Sequence, residues 1–218
     1  MSEGGCEEVR RDMAVLASLA RRVAAFASAA AGAYSFFAFG MSIVGFIAVS
    51  GPMARLLGFE PGGVVAVLAV ILGTIASLVL IAFVPGPVWR WLASQGFGGE
   101  WSARDTVATL TAFIGGFALA YIPSPALGEW YPPVAWYLGL TLAFITLYVY
   151  DRTWGRTYAA PTFGVAAVLT ALTAPIPLYI SWSIGPQEGS TAAAGLMLLS
   201  YLAAGSYALR KAASALEG

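Results

Sequence analysis

Six long stretches without charge dominate this 218-residue sequence. They lie at about 33–50, 62–84, 105–122, 133–150, 158–180 and 190–209, and a single charged residue, Asp105, stands at the very start of the third. An apolar run of roughly 18 residues or more is typical of a transmembrane helix. Lipid leaves no partner for a free backbone amide, and these runs do not alternate as barrel strands do. The sequence therefore predicts an all-α membrane bundle of six transmembrane helices.

The composition supports lipid as the surrounding medium. Hydrophobic residues make up 59% of the chain and charged residues 10%, whereas soluble domains carry about 25% charged residues. The chain has no histidine and a single cysteine, Cys6. These absences exclude a haem held by two histidines, a structural zinc site of Cys and His ligands, and an intramolecular disulfide. No cofactor or metal is expected.

The basic residues predict the orientation of the bundle. If six helices cross in turn, ten of the eleven basic residues fall on one side and Arg55 alone falls on the other. Basic loops stay in the cytoplasm, so both termini are predicted to be cytoplasmic. The ten residues are Arg10, Arg11, Arg21, Arg22, Arg90, Arg104, Arg152, Arg156, Arg210 and Lys211. The seven tryptophans all fall near predicted interfaces, where indole rings prefer to lie.

The segment before the first apolar run has its own pattern. Val9, Met13, Leu16, Leu19 or Ala20, Val23 and Phe26 recur at steps of three and four residues, which predicts one apolar face on a helix. A basic amphipathic helix of this kind can lie along the inner leaflet or against a partner protein. The predicted organisation is a charged tail and interfacial helix over 1–30, a six-helix domain over 31–211, and a short cytoplasmic tail over 212–218.

Two Pro and Gly patterns bear on helix geometry. Pro-x-Pro occurs three times, and the copy at Pro175 and Pro177 is followed by more apolar residues, which predicts a helix break inside the membrane. Transporters use such breaks to bind solutes. Small residues recur every four positions at Ala112, Gly116 and Ala120, and such a face lets two helix backbones approach closely.

Catalysis within a membrane usually needs ionisable groups at depth, and the apolar runs offer none there. No enzymatic activity is therefore expected. Four arginines at the predicted cytoplasmic ends of helices, Arg90, Arg104, Arg152 and Arg156, are candidates for contact with an anion or a partner protein. Their alternative role is that of basic anchors at helix ends. The sequence gives no reason to expect a nucleic-acid partner.

Two functions remain open on this evidence. The first is a non-catalytic accessory or scaffold subunit of a membrane complex, with a protein partner or a second copy of the chain. The second is a solute-handling protein, either an uncoupled channel or the substrate-binding subunit of a multi-part importer. In its six helices, its cytoplasmic termini and its Ala25, Ala29 and Ala33 repeat, the chain resembles the S subunits of energy-coupling-factor vitamin importers. That resemblance is one of architecture, without a sequence motif, and it implies a small-molecule ligand of unknown identity.

The arginine content bears on the source of the chain. Arginine outnumbers lysine ten to one, and alanine and glycine are abundant. This bias is typical of a GC-rich prokaryotic genome, so the cell membrane is the predicted location.

Overall fold

The computed structural model describes residues 3–58, 72–73, 75–77, 79–80, 82–96, 103–154 and 162–217, and these residues form helices and short turns with no strand. The helices are α1 (Glu3–Leu56), α2 (Pro85–Ser94), α3 (Ala103–Tyr121), α4 (Ser124–Leu127), α5 (Pro132–Trp154), α6 (Thr162–Thr173), α7 (Pro175–Ser183) and α8 (Pro186–Glu217). The predicted all-α class is confirmed for this part of the chain.

Five segments of the described chain are long and apolar enough to cross a membrane, at Arg10–Phe46, Val107–Leu127, Pro132–Trp154, Thr162–Ser183 and Pro186–Ser214. Each corresponds to one of the six predicted spans. The remaining prediction, at 62–84, lies largely outside the described residues, although short pieces between 72 and 83 are helical. The structure is therefore compatible with a multi-pass membrane protein.

The first helix differs from the sequence prediction. Instead of an interfacial helix over 1–30 followed by a separate span, α1 is continuous for 54 residues, a length of about 81 Å at 1.5 Å per residue. The junction reads Ala27–Ser28–Ala29–Ala30–Ala31, and alanine is the strongest helix former. No proline precedes Pro52 in this helix, so nothing in the sequence ends it near residue 30.

The partner of α1 in the bundle is α8, with which it forms the most extensive contact among the described helices. The two run antiparallel: Ala33 packs with Ala208, and farther along α1 the backbone of Gly40 lies against the ring of Tyr201. Each step forward along α1 is thus matched by one step back along α8. At this register, Ala24 of α1 lies level with the end of α8.

The other neighbouring helices are also antiparallel. Gly116 and Gly139 bring α3 against α5, and the Tyr137 hydroxyl bonds to Thr173 while Tyr148 packs on Gly164, so α6 runs back along α5. One end of the bundle therefore holds the start of α3 and the ends of α5 and α8. We call it the basic end, since Arg104, Arg152, Arg210 and Lys211 lie there.

Aromatic rings from five helices fill the centre of the bundle. The Tyr201 ring lies 5.4 Å from Phe36 and 5.6 Å from Phe144, measured between centroids. Phe39 and Phe113 are 5.5 Å apart and join α1 to α3. Trp136, which the sequence placed at an interface, is instead buried in this core. Its ring meets Tyr137 edge-on, an arrangement that aromatic quadrupoles favour.

Candidate functional site

The basic end carries two of the four predicted arginines on aromatic side chains. The Arg104 guanidinium lies 5.0 Å from the centre of the Trp154 ring, which joins the start of α3 to the end of α5. Arg152 donates from Nε to the Tyr148 hydroxyl at 3.2 Å, one helical turn away. A cation over an aromatic face is held electrostatically by the ring quadrupole. Both arginines are solvent-accessible and positively charged in this arrangement.

The other two predicted arginines are Arg90 and Arg156. Arg90 is exposed on α2, whose main contact is with α1. Arg156 lies outside the described residues. Of the four arginines, Arg104 and Arg152 are the two that contact aromatic side chains at the basic end. Contact of these residues with an anion or a partner stays a prediction.

The structure places the predicted proline break at a polar spot in the bundle. Ala174 between α6 and α7 keeps helical backbone angles, so the chain passes from α6 into α7 without unwinding. Pro175 and Pro177 have no N–H to offer to the carbonyls four residues earlier. Pro177 is buried, and the nearby Thr173 hydroxyl bonds to Tyr137 at 2.6 Å.

Hydroxyl groups supply the polarity of the described interior. Thr170 and Ser200 bond to carbonyls of their own helices, as is usual for such residues in apolar helices. Ser200 is also a hydrogen-bonding neighbour of the Tyr137 hydroxyl. Buried residues of the described chain include no Asp, Glu, Lys or Arg, and no group of three possible metal ligands occurs among them. The hydroxyl groups of the described interior are therefore its available hydrogen-bond donors.

The predicted small-residue face lies between α3 and α5. Ala112, Gly116 and Ala120 are all buried, and a Cβ on Gly116 would lie 2.6 Å from the Gly139 carbonyl oxygen. The Ala120 carbonyl accepts a hydrogen bond from the Tyr131 hydroxyl at 2.7 Å. Burial raises the pKa of Tyr131 above its usual value, which keeps this donor protonated.

The N-terminal part of α1 forms a second candidate site. Residues 3–23 extend beyond the level at which α8 ends, and we call this segment the overhang; it projects about 31 Å. Met13, Leu16 and Leu19 are 64%, 60% and 54% exposed there. The middle of the predicted apolar face, at Met13, Leu16 and Leu19, is thus largely exposed. Sequence reasoning missed the projection because it depends on the register between α1 and α8.

Sequence reasoning also missed the glycines that admit the aromatic core. A Cβ on Gly40 would collide with the Tyr201 ring, and one on Gly205 would meet the Phe37 ring at 2.5 Å. The signal available in the sequence was the spacing of Phe36, Phe39 and Gly40 on one apolar helix. It does not reveal which ring fills the space.

Comparisons with protein-family models, with curated proteins and with solved structures gave no match.

Proposed function

We propose that this protein is a non-catalytic accessory subunit of a membrane complex, and that the overhang of α1 docks its partner. The observation that carries the proposal is the exposed apolar face of Met13, Leu16, Leu19 and Val23 on a helix that continues into the bundle. A contiguous exposed apolar patch rimmed by polar residues marks an interaction surface. The partner is another protein or a second copy of the chain.

The level of the membrane supports a protein partner over a lipid surface. At the observed register, Arg210 and Lys211 lie level with residues 30–31 of α1, and basic side chains prefer the headgroup region. The helix then leaves the membrane near residue 30 and continues without interruption. An interfacial helix lies in the plane of the leaflet, whereas α1 has no break at this point that would let the chain turn into that plane.

The proposed orientation has six crossings and both termini in the cytoplasm. The antiparallel packing of α1 and α8 supports an even number of crossings, because it brings the chain ends to the same end of the bundle. The described helices α1 and α3 run in the same direction, so the chain must cross back between Leu56 and Ala103. The helical pieces between 72 and 83 are the natural candidate for that crossing. The basic end faces the cytoplasm in this arrangement.

The solute-handling alternative has weaker support. In this alternative, the solute would bind near the α6–α7 junction at Pro175, close to the hydroxyl groups of Tyr137, Thr173 and Ser200. Those hydroxyls bond to one another and to carbonyls of their own helices. A ligand site needs a concave space with a few convergent polar groups, and neither of the two pockets found among the described residues is lined by Tyr137, Thr173 or Ser200.

The test is purification of the full chain from its native membrane, with quantification of co-purifying proteins by mass spectrometry. We expect a stoichiometric partner or a homo-oligomer with the native chain. Leu16→Glu should abolish the association, because a charge on the apolar face must be desolvated on docking. Ser18→Glu is the matched control on the opposite side of the same helix turn, and its association should persist. A lone chain that carries a bound small molecule would overturn the proposal in favour of solute handling.

A further inference from the structure

An apolar groove lies between α5 and α6 on the outside of the bundle. Its volume is 540 Å³, which is within the range of about 300–1,000 Å³ typical of ligand sites. The lining includes Ile145 of α5 and Val165, Val168 and Leu169 of α6. Val168 is 58% exposed, so the groove opens toward the surrounding lipid and not into the aromatic core.

The groove is closed at one end by Tyr148. A Cβ on Gly164 would lie 2.7 Å from the Tyr148 ring, so the glycine lets this ring lie directly on the backbone of α6. The Tyr148 hydroxyl accepts the hydrogen bond from Arg152 Nε at 3.2 Å. The Arg152 guanidinium also lies 5.7 Å from the centre of the Tyr148 ring. The basic end of the apolar groove thus lies next to the exposed guanidinium of Arg152.

The depth of the groove matches one leaflet. Tyr148 lies six residues before the end of α5 at Trp154, or about 9 Å along the axis. Ile145 lies one turn deeper, still in the half of α5 nearer the basic end. The half-thickness of the hydrocarbon core is about 15 Å. The apolar lining therefore lies at acyl-chain depth, and Arg152 lies near the level of the headgroups.

We propose that the groove binds an anionic phospholipid of the leaflet at the basic end. One acyl chain lies along Ile145, Val165 and Val168, and the phosphate is held by Arg152. Charge complementarity selects this occupant: guanidinium and phosphate form charge-assisted hydrogen bonds in a planar fork. Arg104, held over Trp154 at the same end of α5, adds a second positive charge to this region.

The experiment is native mass spectrometry of the full chain in detergent, titrated with dioleoyl phosphatidylglycerol or with dioleoyl phosphatidylcholine. The two lipids share acyl chains and differ in net charge. We expect one phosphatidylglycerol to bind preferentially. Arg152→Gln should weaken its binding about tenfold, the loss expected for one charge-assisted contact, whereas Arg210→Gln should leave it unchanged. Glycerol 3-phosphate, which has no acyl chain, should not compete.

A second variant tests the groove itself. Val168→Phe adds bulk at an exposed wall position and leaves the core packing intact, and we expect it to reduce the binding of both lipids. Leu199→Phe, at a 62% exposed position on α8, is the matched control. Equal binding of the two lipids with no effect of Arg152→Gln would overturn the proposal. A dimer of the native chain that Val168→Phe dissociates would show a second copy as the occupant and would overturn it as well.

This inference rests on the proposed membrane arrangement and is independent of the docking role of the overhang. The lipid titration uses the purified chain without a partner. Because it is done in detergent, the measured lipid binding does not depend on the orientation of the bundle in the membrane. Loss of the partner in Leu16→Glu with unchanged lipid binding would separate the two proposals. Failure of the lipid test would likewise leave the co-purification result standing.

Discussion

Two tyrosines in the core show how much a single hydroxyl contributes in this bundle. Tyr137 and Tyr201 both lie in the aromatic core and are almost fully buried. The Tyr137 hydroxyl bonds to Thr173 at 2.6 Å. The Tyr201 hydroxyl has no hydrogen-bond partner among the described residues. A buried hydroxyl stabilises the fold when it is bonded and costs free energy when it is not, so the two residues should respond oppositely to the same change.

We expect Tyr137→Phe to lower the free energy of unfolding by about 1 kcal/mol, the usual net value of one hydrogen bond. Thr173 keeps its bond to the Leu169 carbonyl, so no new unpaired group is added. Tyr201→Phe should leave stability unchanged or slightly higher. Thermal unfolding of both variants in one detergent measures the difference. A clear loss in Tyr201→Phe would reveal a partner for that hydroxyl and contradict the expectation.

At the scale of helices, close backbone approach determines the packing of α3 on α5. Gly116 lies against the Gly139 carbonyl and the Ala143 backbone, whereas its neighbour Gly115 has open space at the Cβ position. The two glycines thus share a helix and a sequence context but face different surroundings. Small residues promote helix contacts in membranes by allowing backbones to approach. The same substitution at Gly115 and at Gly116 changes helix propensity equally, so any difference between the two variants reports the close contact alone.

Gly116→Val should destabilise the bundle by about 1–3 kcal/mol, the usual cost of added bulk in a packed contact. Gly115→Val introduces the same β-branched side chain one residue away and should have little effect. The comparison of melting temperatures and of yield from the membrane tests the contact. Equal behaviour of the two variants would mean that α3 and α5 do not approach closely at Gly116.

At the scale of the whole molecule, the directions of the helices constrain the path of the chain. The chain ends share one end of the bundle because α1 and α8 are antiparallel. The described helices α1, α3, α5, the α6–α7 pair and α8 supply five candidate crossings. An odd total would separate the termini across the membrane, so the proposed orientation includes one further crossing between α1 and α3.

Topology reporters fused to the N-terminus and to the C-terminus should therefore indicate the same side of the membrane. The excess of arginine at the basic end predicts that this side is the cytoplasm. Fusion at Glu129, in the turn before α5, serves as the control and should report the opposite side. Termini on opposite sides would contradict the antiparallel arrangement of α1 and α8.

The sequence predicted the helical class and the approximate bounds of the described spans after α1 because uncharged runs are a strong signal at this length. It also contained the four-residue spacing of Tyr148 and Arg152, which places two residues on one helix face. The continuity of α1 was missed because the predicted boundary followed the change from charged to uncharged residues, although the alanine-rich junction carries no stop signal. Nor did it predict that Gly116 would meet Gly139, because periodicity identifies a face and not its neighbour.

The register between α1 and α8 also explains why the candidate sites differed in how well they could be predicted. The exposed face of the overhang follows from local spacing in the sequence, but its projection past α8 follows from contacts such as Ala33 with Ala208. The groove between α5 and α6 likewise depends on the close approach of Tyr148 to Gly164. Such contacts join residues distant in sequence, and a single sequence gives no measure of them.

The unbroken course of α1 has a mechanical consequence. The same helix begins at Glu3 in the overhang and contacts the Tyr201 ring at Gly40. A rigid rod amplifies rotation: a tilt of about 5° at the level of Ala24 displaces a tip about 31 Å away by roughly 3 Å. A protein that binds the tip is thereby coupled through α1 to the aromatic rings around Gly40. A displacement of the tip would shift the packing of those rings, and a change in that packing would move the tip.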